Sequence, residues 1–466
     1  MNRYNRRYIM KMTVCAADDY RRFVCHLSGR VRSRYHPEYD GWLRQSAWNR
    51  RDFGRLPEMI VRAQSTEDVA DTLRFARKHK HKVAVRAGGH SYCGCFLHTN
   101  SILLDISALQ DINIDTRNKT AAIGPGVTAR QLTAALNPYG LSFPTGHGGN
   151  VALSGFLLGG GMGINSSAWG GMSVFSMEAV DLITAEGELL HANAHQNPDL
   201  FWAARGGGPN VFFVVVCFYL RCYPHPVINN RLYQLSWQDL VPLMERIAEL
   251  KPDPRLQIML ALFPGQSATS FTLNTLAFTA DTEESRALQD AFISRLPVEW
   301  ITMLSESTEG TFEEIYRQGE GMLTHTRYSS DNVIISRPSE VIQKIEGAVS
   351  DCPCRDAITL IVWRGKHIYP AAAYSVSGDF FVSTYMQWDR AEDDDTVLCW
   401  LKKLYDQFRD ISEGCYINEF DLENRSGEIE RCYAPENWSR LVSLRRDYDP
   451  SGVFVDISTS LKNTPF

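Results

Sequence analysis

Between Pro144 and Gly171 this chain places ten of its 33 glycines: 146, 148, 149, 155, 159, 160, 161, 163, 170 and 171. Glycine in regular structure costs up to about 1 kcal/mol of folding free energy per residue. So many together make sense only where the backbone turns with positive φ or lies directly against something else. A solvated linker would also be glycine-rich, but Val151, Leu153, Phe156, Leu157 and Leu158 are too apolar for one. The stretch therefore reads as backbone apposed to a ligand.

The rest of the chain bounds what that ligand can be. With 466 residues it suits two or three packed domains, and its 44% hydrophobic, 22% charged composition is that of an ordinary globular protein. A net charge of -6 without a concentrated basic block gives no reason to expect nucleic acid or a membrane as partner. The basic start, Met1 to Met12, lacks the apolar core of a signal peptide, and Val211 to Tyr219 is too short to span a bilayer. A cytoplasmic location is expected on that ground. Eleven scattered cysteines read as reduced thiols. The pairs Cys93/Cys95 and Cys352/Cys354 have a single residue between them, unlike the two of a usual zinc pair, so no metal is expected.

Periodicity predicts strands at Met59 to Val61, Lys82 to Arg86, Ser101 to Asp105, Thr120 to Ile123, Ala179 to Thr184 and Val211 to Leu220. A helix runs from Val69 to Lys78 with Thr66 as N-cap, and another from Thr128 to Leu136. Beyond Pro224 glycine density falls; strands at Arg231 to Ser236 and Leu256 to Leu262 alternate with helices such as Ser339 to Val349 and Thr396 to Phe408. The expected organisation is an N-terminal helical segment over 1–40, a first domain over 41–225, a second over 226–410, and a segment over 411–466 that returns to the first.

Several common sites are excluded. Gly159 to Gly163 lacks the third glycine of a dinucleotide fingerprint, and there is no phosphate loop or serine-hydrolase elbow. Instead, motifs follow in a fixed order. Arg86-Ala-Gly-Gly-His-Ser91 comes first, then Gly124-Pro-Gly126, Pro144-Thr-Gly-His147, Gly155-Phe-Leu-Leu-Gly-Gly-Gly161 and Val180 to Glu188. Asp199 to Ala203, Arg205 to Asn210, Tyr416-Ile-Asn-Glu419, Asn437 to Leu441 and Tyr448-Asp-Pro450 complete the series. From Trp48 to Phe454 the chain resembles the berberine-bridge-enzyme-like branch of the vanillyl-alcohol-oxidase-fold, FAD-linked oxidoreductases.

The resemblance implies an α+β fold: a PCMH-type FAD-binding domain of two α+β subdomains, and a substrate domain whose antiparallel sheet is covered by helices. It implies that Arg86, Ala87, Gly88, Gly89, His90 and Ser91 wrap the cofactor, with backbone N–H groups on anionic oxygens. His90 takes the position of the covalent flavin link. Gly146, His147, Gly148, Val151, Gly155, Gly160, Gly161, Ile183 and Asn418 are the further cofactor residues it implies. Many relatives carry a second linkage through a cysteine; Gly148 stands there, so one covalent bond is expected. Val151, at the position that gates oxygen, resembles the oxygen-reactive members, and Phe213 replaces a glycine near the cofactor.

The activity so implied is hydride transfer from a C–H of a small organic substrate, an alcohol or amine carbon of a secondary metabolite or sugar, with O2 as re-oxidant and H2O2 as product. Tyr416 aligns with the first tyrosine of the family's Tyr-x-Asn-Tyr strand; Glu419 replaces the second, which is the base in many relatives, and as a carboxylate is the stronger base candidate at pH 7 if it faces the pocket. Strand alternation places Tyr416 and Asn418 on one face and Glu419 on the other, which favours Tyr416 as base, with Asn418 hydrogen-bonding the flavin or the base. Tyr385, Gln387, Trp363 and Trp388 are the candidate substrate contacts in the second domain. A redox-neutral FAD-containing cyclase or isomerase is the alternative enzyme, and a non-catalytic flavin-scaffold binding protein the alternative outside enzymes.

Overall fold

The structure, a computed structural model, describes residues 14–266 and 269–457. The basic stretch at the N-terminus therefore falls largely outside the described residues, and the first described element is a helix, Val14–His26.

Four short strands open the fold: β1 (Val31–Ser33), β2 (Met59–Arg62), β3 (Lys82–Arg86) and β4 (Ser101–Asp105). They form a sheet of order β1-β2-β4-β3, with β4 parallel to both β2 and β3. Every residue of β4 is buried, as expected of a strand covered on both faces. The helix Thr66–Lys78 makes the crossover to β3, burying Val69, Leu73 and Ala76. Its N-cap is Ser65, not Thr66: Ser65 Oγ accepts the Asp68 N–H while the Asp68 carboxylate accepts the Ser65 N–H, a reciprocal capping box.

Seven strands follow: β5 (Ile112–Asp115), β6 (Thr120–Ile123), β7 (Leu141–Ser142), β8 (Met177–Thr184), β9 (Leu189–Asn193), β10 (Phe213–Arg221) and β11 (Tyr223–Pro224). Five of them build a sheet of order β5-β6-β10-β8-β9, and β7 pairs with β11. Residues 453–455 return to this half of the molecule. The Val83 N–H donates to Val453 O at 2.7 Å and the Val455 N–H to Val83 O at 3.0 Å.

The third sheet is antiparallel throughout: β12 (Val227–Ser236), β13 (Leu256–Leu262), β14 (Ser270–Thr279), β15 (Thr302–Gly310), β16 (Arg327–Ile335), β17 (Ile358–Trp363) and β18 (Phe380–Trp388), in the order β15-β12-β14-β13-β17-β18-β16. Alternation decides its two faces. In β13, Leu256, Ile258, Leu260 and Leu262 are buried in the core, whereas Gln257, Met259 and Ala261 face a cavity. Helices such as Thr282–Ile293 and Asp394–Asp406 pack on the sheet. The architecture is thus α+β, with three larger sheets and the two-stranded β7–β11 pair among the described residues, and no described helix is long and apolar enough to cross a membrane.

Candidate active site

A cavity of about 940 Å³ lies between the first half of the molecule and the large antiparallel sheet. One wall is backbone. Residues 86–91 continue β3 as a turn in which Gly89 has φ +72°, a region that disfavours side chains. A Cβ on Gly89 would run into Ser46 O, and one on Gly88 would fall 2.8 Å from Ala152 Cβ. The Arg86 guanidinium holds the turn, donating to Asp105 Oδ1 at 2.9 Å, Ser46 O at 3.0 Å and Gly88 O at 3.3 Å.

His90 sits at the end of this turn with the Trp48 indole stacked on it, centroids 5.6 Å apart. Burial, reinforced by the Arg86 cation, pulls the His90 pKa down to about 4, so the ring is neutral near pH 7. A hydrogen bond to the Asn150 backbone pulls the other way without offsetting the burial. His147, also on the cavity wall, is likewise held down at about 4 by burial and then by Arg364. The Gln257 amide lies 3.0 Å from its Nε2.

At the far end stands the segment Tyr416–Glu419. It is not a strand: Ile417–Glu419 forms one 3₁₀ turn, so alternation does not apply, and Tyr416, Asn418 and Glu419 all line the cavity. The edge strand β16 holds this turn by its main chain. Asn332 Oδ1 accepts the Tyr416 N–H at 2.6 Å, Asn332 Nδ2 donates to Tyr416 O at 2.9 Å, and Ser330 Oγ donates to Glu419 O at 3.1 Å. A buried ion pair, Arg425 with Asp331 at 2.7 Å, braces the same strand.

The Tyr416 phenol oxygen accepts from the Met162 N–H at 3.1 Å and from Asn418 Nδ2 at 2.9 Å. Burial nonetheless drives its pKa well above the usual phenol value, with the Glu419 charge adding to the rise. Glu419 Oε2 accepts the Tyr385 hydroxyl at 2.6 Å and the Ser383 hydroxyl at 2.8 Å. Burial raises the Glu419 pKa against the pull of those two hydroxyls. Its side-chain partners are hydroxyls, not cations, so the group is a buried carboxylate with an accessible proton affinity.

Of the residues singled out in the sequence, the cavity gathers Arg86 to Ser91, His147, Gly148, Val151, Gly155, Tyr385, Tyr416, Asn418 and Glu419, together with Phe213. Seven others lie off its wall. Gly146 packs on Phe156, Gly160 (φ +112°) on Tyr374, Gly161 on Phe156 and Ser173, and Ile183 is buried inside β8. An added Cβ at any of these three glycines would meet protein side chains. Gln387 uses its amide on Met322 O, Asp356 O and the Thr324 N–H, and Trp363 packs edge-on against Phe380. Trp388, also off the wall, donates its indole N–H to Asp394. Sequence reasoning passed over Trp48 and Ser383; Ser383 stands two residues before Tyr385, and period-two alternation alone would have put both on one face.

One cavity thus joins a glycine turn ending in a neutral histidine to a buried carboxylate, an arrangement suited to holding a nucleotide cofactor beside a proton acceptor. FAD fits the residues present. The turn leaves no room for side chains, and Trp48, which lines the cavity, has a buried indole N–H with no partner in the protein. Residues 57–193 match the family described as FAD binding domain. Along 90% of its length the chain is 27% identical to an FAD-linked oxidoreductase of Penicillium crustosum, 94% of which is covered. Over 179 residues, 38% of each chain, it is 34% identical to the (R)-6-hydroxynicotine oxidase of Paenarthrobacter nicotinovorans. The solved structure of a berberine-bridge-enzyme-like protein of Physcomitrella patens superposes with a TM-score of 0.78 at 17% identity, covering 96% of this chain and 99% of that one. The chain is an FAD-linked oxidoreductase with the fold of the berberine-bridge-enzyme-like flavoproteins.

Proposed function

We propose that the protein is an oxidase in which FAD is held by one covalent bond through His90 and Glu419 acts as the base. The observation that carries this is the pairing, in one cavity, of a neutral histidine at the glycine turn with a buried, hydroxyl-bound carboxylate. FAD supplies the acceptor for a hydride from a substrate C–H, and O2 takes the electron pair onward with two protons to give H2O2.

The protein's part is to orient and to move one proton. His90 offers an unprotonated ring nitrogen, the form bond formation requires, and Trp48 fixes the ring plane. Glu419 accepts the O–H or N–H proton of the substrate as the C–H is oxidised; its raised pKa makes it a better proton acceptor than an exposed carboxylate. Tyr385 and Ser383 hold its other contacts fixed. Tyr416, with two N–H donors on its oxygen, orients the substrate heteroatom, and Asn418 locks Tyr416 in place. Val151 lies on the cavity wall, where a small side chain suits the approach of O2, while Gly148 offers no second point of attachment.

Acid denaturation followed by peptide mapping tests the linkage: flavin is expected on the peptide containing His90 and on no other. Chemically reduced enzyme mixed with oxygenated buffer tests the oxidase assignment without a known substrate. Rapid re-oxidation with stoichiometric peroxide is expected; sluggish re-oxidation would make the protein a dehydrogenase.

A further inference from the structure

The chain carries two Cys-x-Cys pairs, Cys93/Cys95 and Cys352/Cys354. Their spacing is the same and their surroundings are not. Cys93 and Cys95 lie on the cavity wall just beyond His90, whereas Cys352 and Cys354 lie off it. Gly94, at φ +56°, makes the tight turn that brings the first two side chains together.

Charge separates the pairs further. Arg55 is buried and donates to the main-chain oxygens of Cys93 and of Leu97, the latter at 3.3 Å. It forms no ion pair with a carboxylate among the described residues, and a buried cation without a counter-charge is costly. The acids that feel its field are the two thiols. Cys354 meets the opposite sign, with Asp393 and Asp356 near it.

Hydrogen bonding differs as well. Ser91 Oγ accepts the Cys95 N–H at 3.2 Å and lies 3.4 Å from Cys93 Sγ. The Ser91 hydroxyl and the Cys93 thiol both reach the Cys95 sulfur. Cys352 instead spends its S–H on Cys354 O at 3.4 Å. The acidities follow. The hydrogen bond from Cys93 draws the Cys95 thiol below its ordinary value against the pull of burial, with Ser91 and Arg55 adding to the fall. Cys93 rises in turn, from the same hydrogen bond and then from burial. Burial drives Cys352 and Cys354 up. An acidified thiol with a second thiol beside it is the arrangement that reacts with hydroperoxides, one sulfur attacking and the other resolving.

We propose that Cys93 and Cys95 form a peroxide-reducing dithiol on the wall of the redox cavity, with Cys95 as the attacking and Cys93 as the resolving sulfur. The Cys95 thiolate attacks one peroxide oxygen. The S–O bond forms, the O–O bond breaks, and the departing hydroxide takes a proton from solvent, replacing the one Cys95 gave up. The Cys93 sulfur then attacks the sulfenic acid. The S–S bond forms, the S–O bond breaks, and hydroxide leaves with the Cys93 proton as a second water. Two thiols lose two electrons, and H2O2 becomes two waters. An oxidase turning over in this cavity supplies the peroxide; the step itself needs only the peroxide, from whatever source.

The test uses flavin-loaded protein, reduced with a thiol reductant and freed of it, and added H2O2 in modest excess. Catalase quenches the reaction, remaining thiols are alkylated in denaturant, and peptides are read by mass spectrometry. The peptide with Cys93 and Cys95 is expected to lose two hydrogens to an internal disulfide at least tenfold faster than the one with Cys352 and Cys354. It should also outpace oxidation of the exposed Cys399 at least tenfold. C93S is expected to halt at a sulfenic acid on Cys95 that dimedone traps. C95S is expected to slow oxidation of Cys93 at least tenfold. Full alkylation of Cys93 and Cys95 after peroxide overturns the proposal. So does equal reaction of the two pairs, or a C95S protein whose Cys93 oxidises at the wild-type rate. Added peroxide keeps this result apart from the oxidase reading. A reactive dithiol in a protein whose reduced flavin yields no peroxide sinks the oxidase alone. A flavin that yields peroxide beside an inert dithiol sinks the present proposal alone.

Discussion

The two walls of the cavity are built on different principles. The glycine turn, residues 86–91, presents main chain to the cavity, and its shape depends on what is missing from its side chains. The sheet wall presents side chains on alternate residues of a rigid frame, and its chemistry depends on what each carries. A backbone wall tolerates almost no substitution but needs no particular neighbour in the sequence. A side-chain wall can be rewritten residue by residue while the frame stays the same. The cofactor-holding half of such a site is therefore fixed and the substrate-facing half is free to vary.

Breaking each wall separately sharpens that contrast. H90A is expected to release all flavin from acid-denatured protein while the fold survives, read as loss of yellow colour from the precipitate. E419Q should leave flavin bound and lower kcat by about 10²–10⁴-fold. In wild type, activity should rise with pH through a pKa above the ordinary glutamate range, because the carboxylate must be ionised to accept a proton; that limb should vanish in E419Q. G89A places a Cβ against Ser46 O in a left-handed backbone conformation, and about 1–3 kcal/mol of stability should be lost in denaturant titration. W363F, off the wall, should change stability by no more than about 0.5–1.5 kcal/mol and leave the substrate KM unaltered.

A pH titration of stability reports on the buried rings of the backbone wall. His90, His98 and His147 are each held at about 4, below the 6.5 of an unfolded histidine. Between those values the unfolded chain binds more protons than the folded one, so stability is full above about pH 6.5 and falls as pH drops toward 4. Denaturant midpoints at pH 7 and pH 5 check the sign.

The same division explains what the sequence made legible. Arg86 to Ser91 stood out as paired glycines running from a strand into a histidine, and the structure puts that turn on the cavity. Glycine alone does not tell a cavity wall from close packing: a Cβ at Gly89 would meet Ser46 O on the cavity turn, and one at Gly160 would meet Tyr374 off the wall. Tyr416 to Glu419 was read as a strand because Tyr-Ile-Asn-Glu suits one. Its 3₁₀ form is imposed from outside by Asn332 and Ser330, some eighty residues earlier, and no local pattern encodes that. Gln387 and Trp363 were candidates on strand residue type alone. Trp363 alternates with Val362 and Arg364, which line the cavity, and so takes the other face; Gln387 shares the face of Tyr385, but its amide is taken up by Met322 O, Asp356 O and the Thr324 N–H.

Gly148 carries a consequence for how this site can change over generations. A Cβ at that position would lie 2.8 Å from Val151 Cγ2, and valine has little rotameric freedom with which to yield. A cysteine tether at 148 and a valine at 151 therefore compete for one volume. A lineage that begins here cannot acquire the tether by a single replacement: residue 151 must shrink first, and the shrunken intermediate gains nothing until the cysteine arrives. The order in which residues 148 and 151 can change is thus constrained by a steric rule.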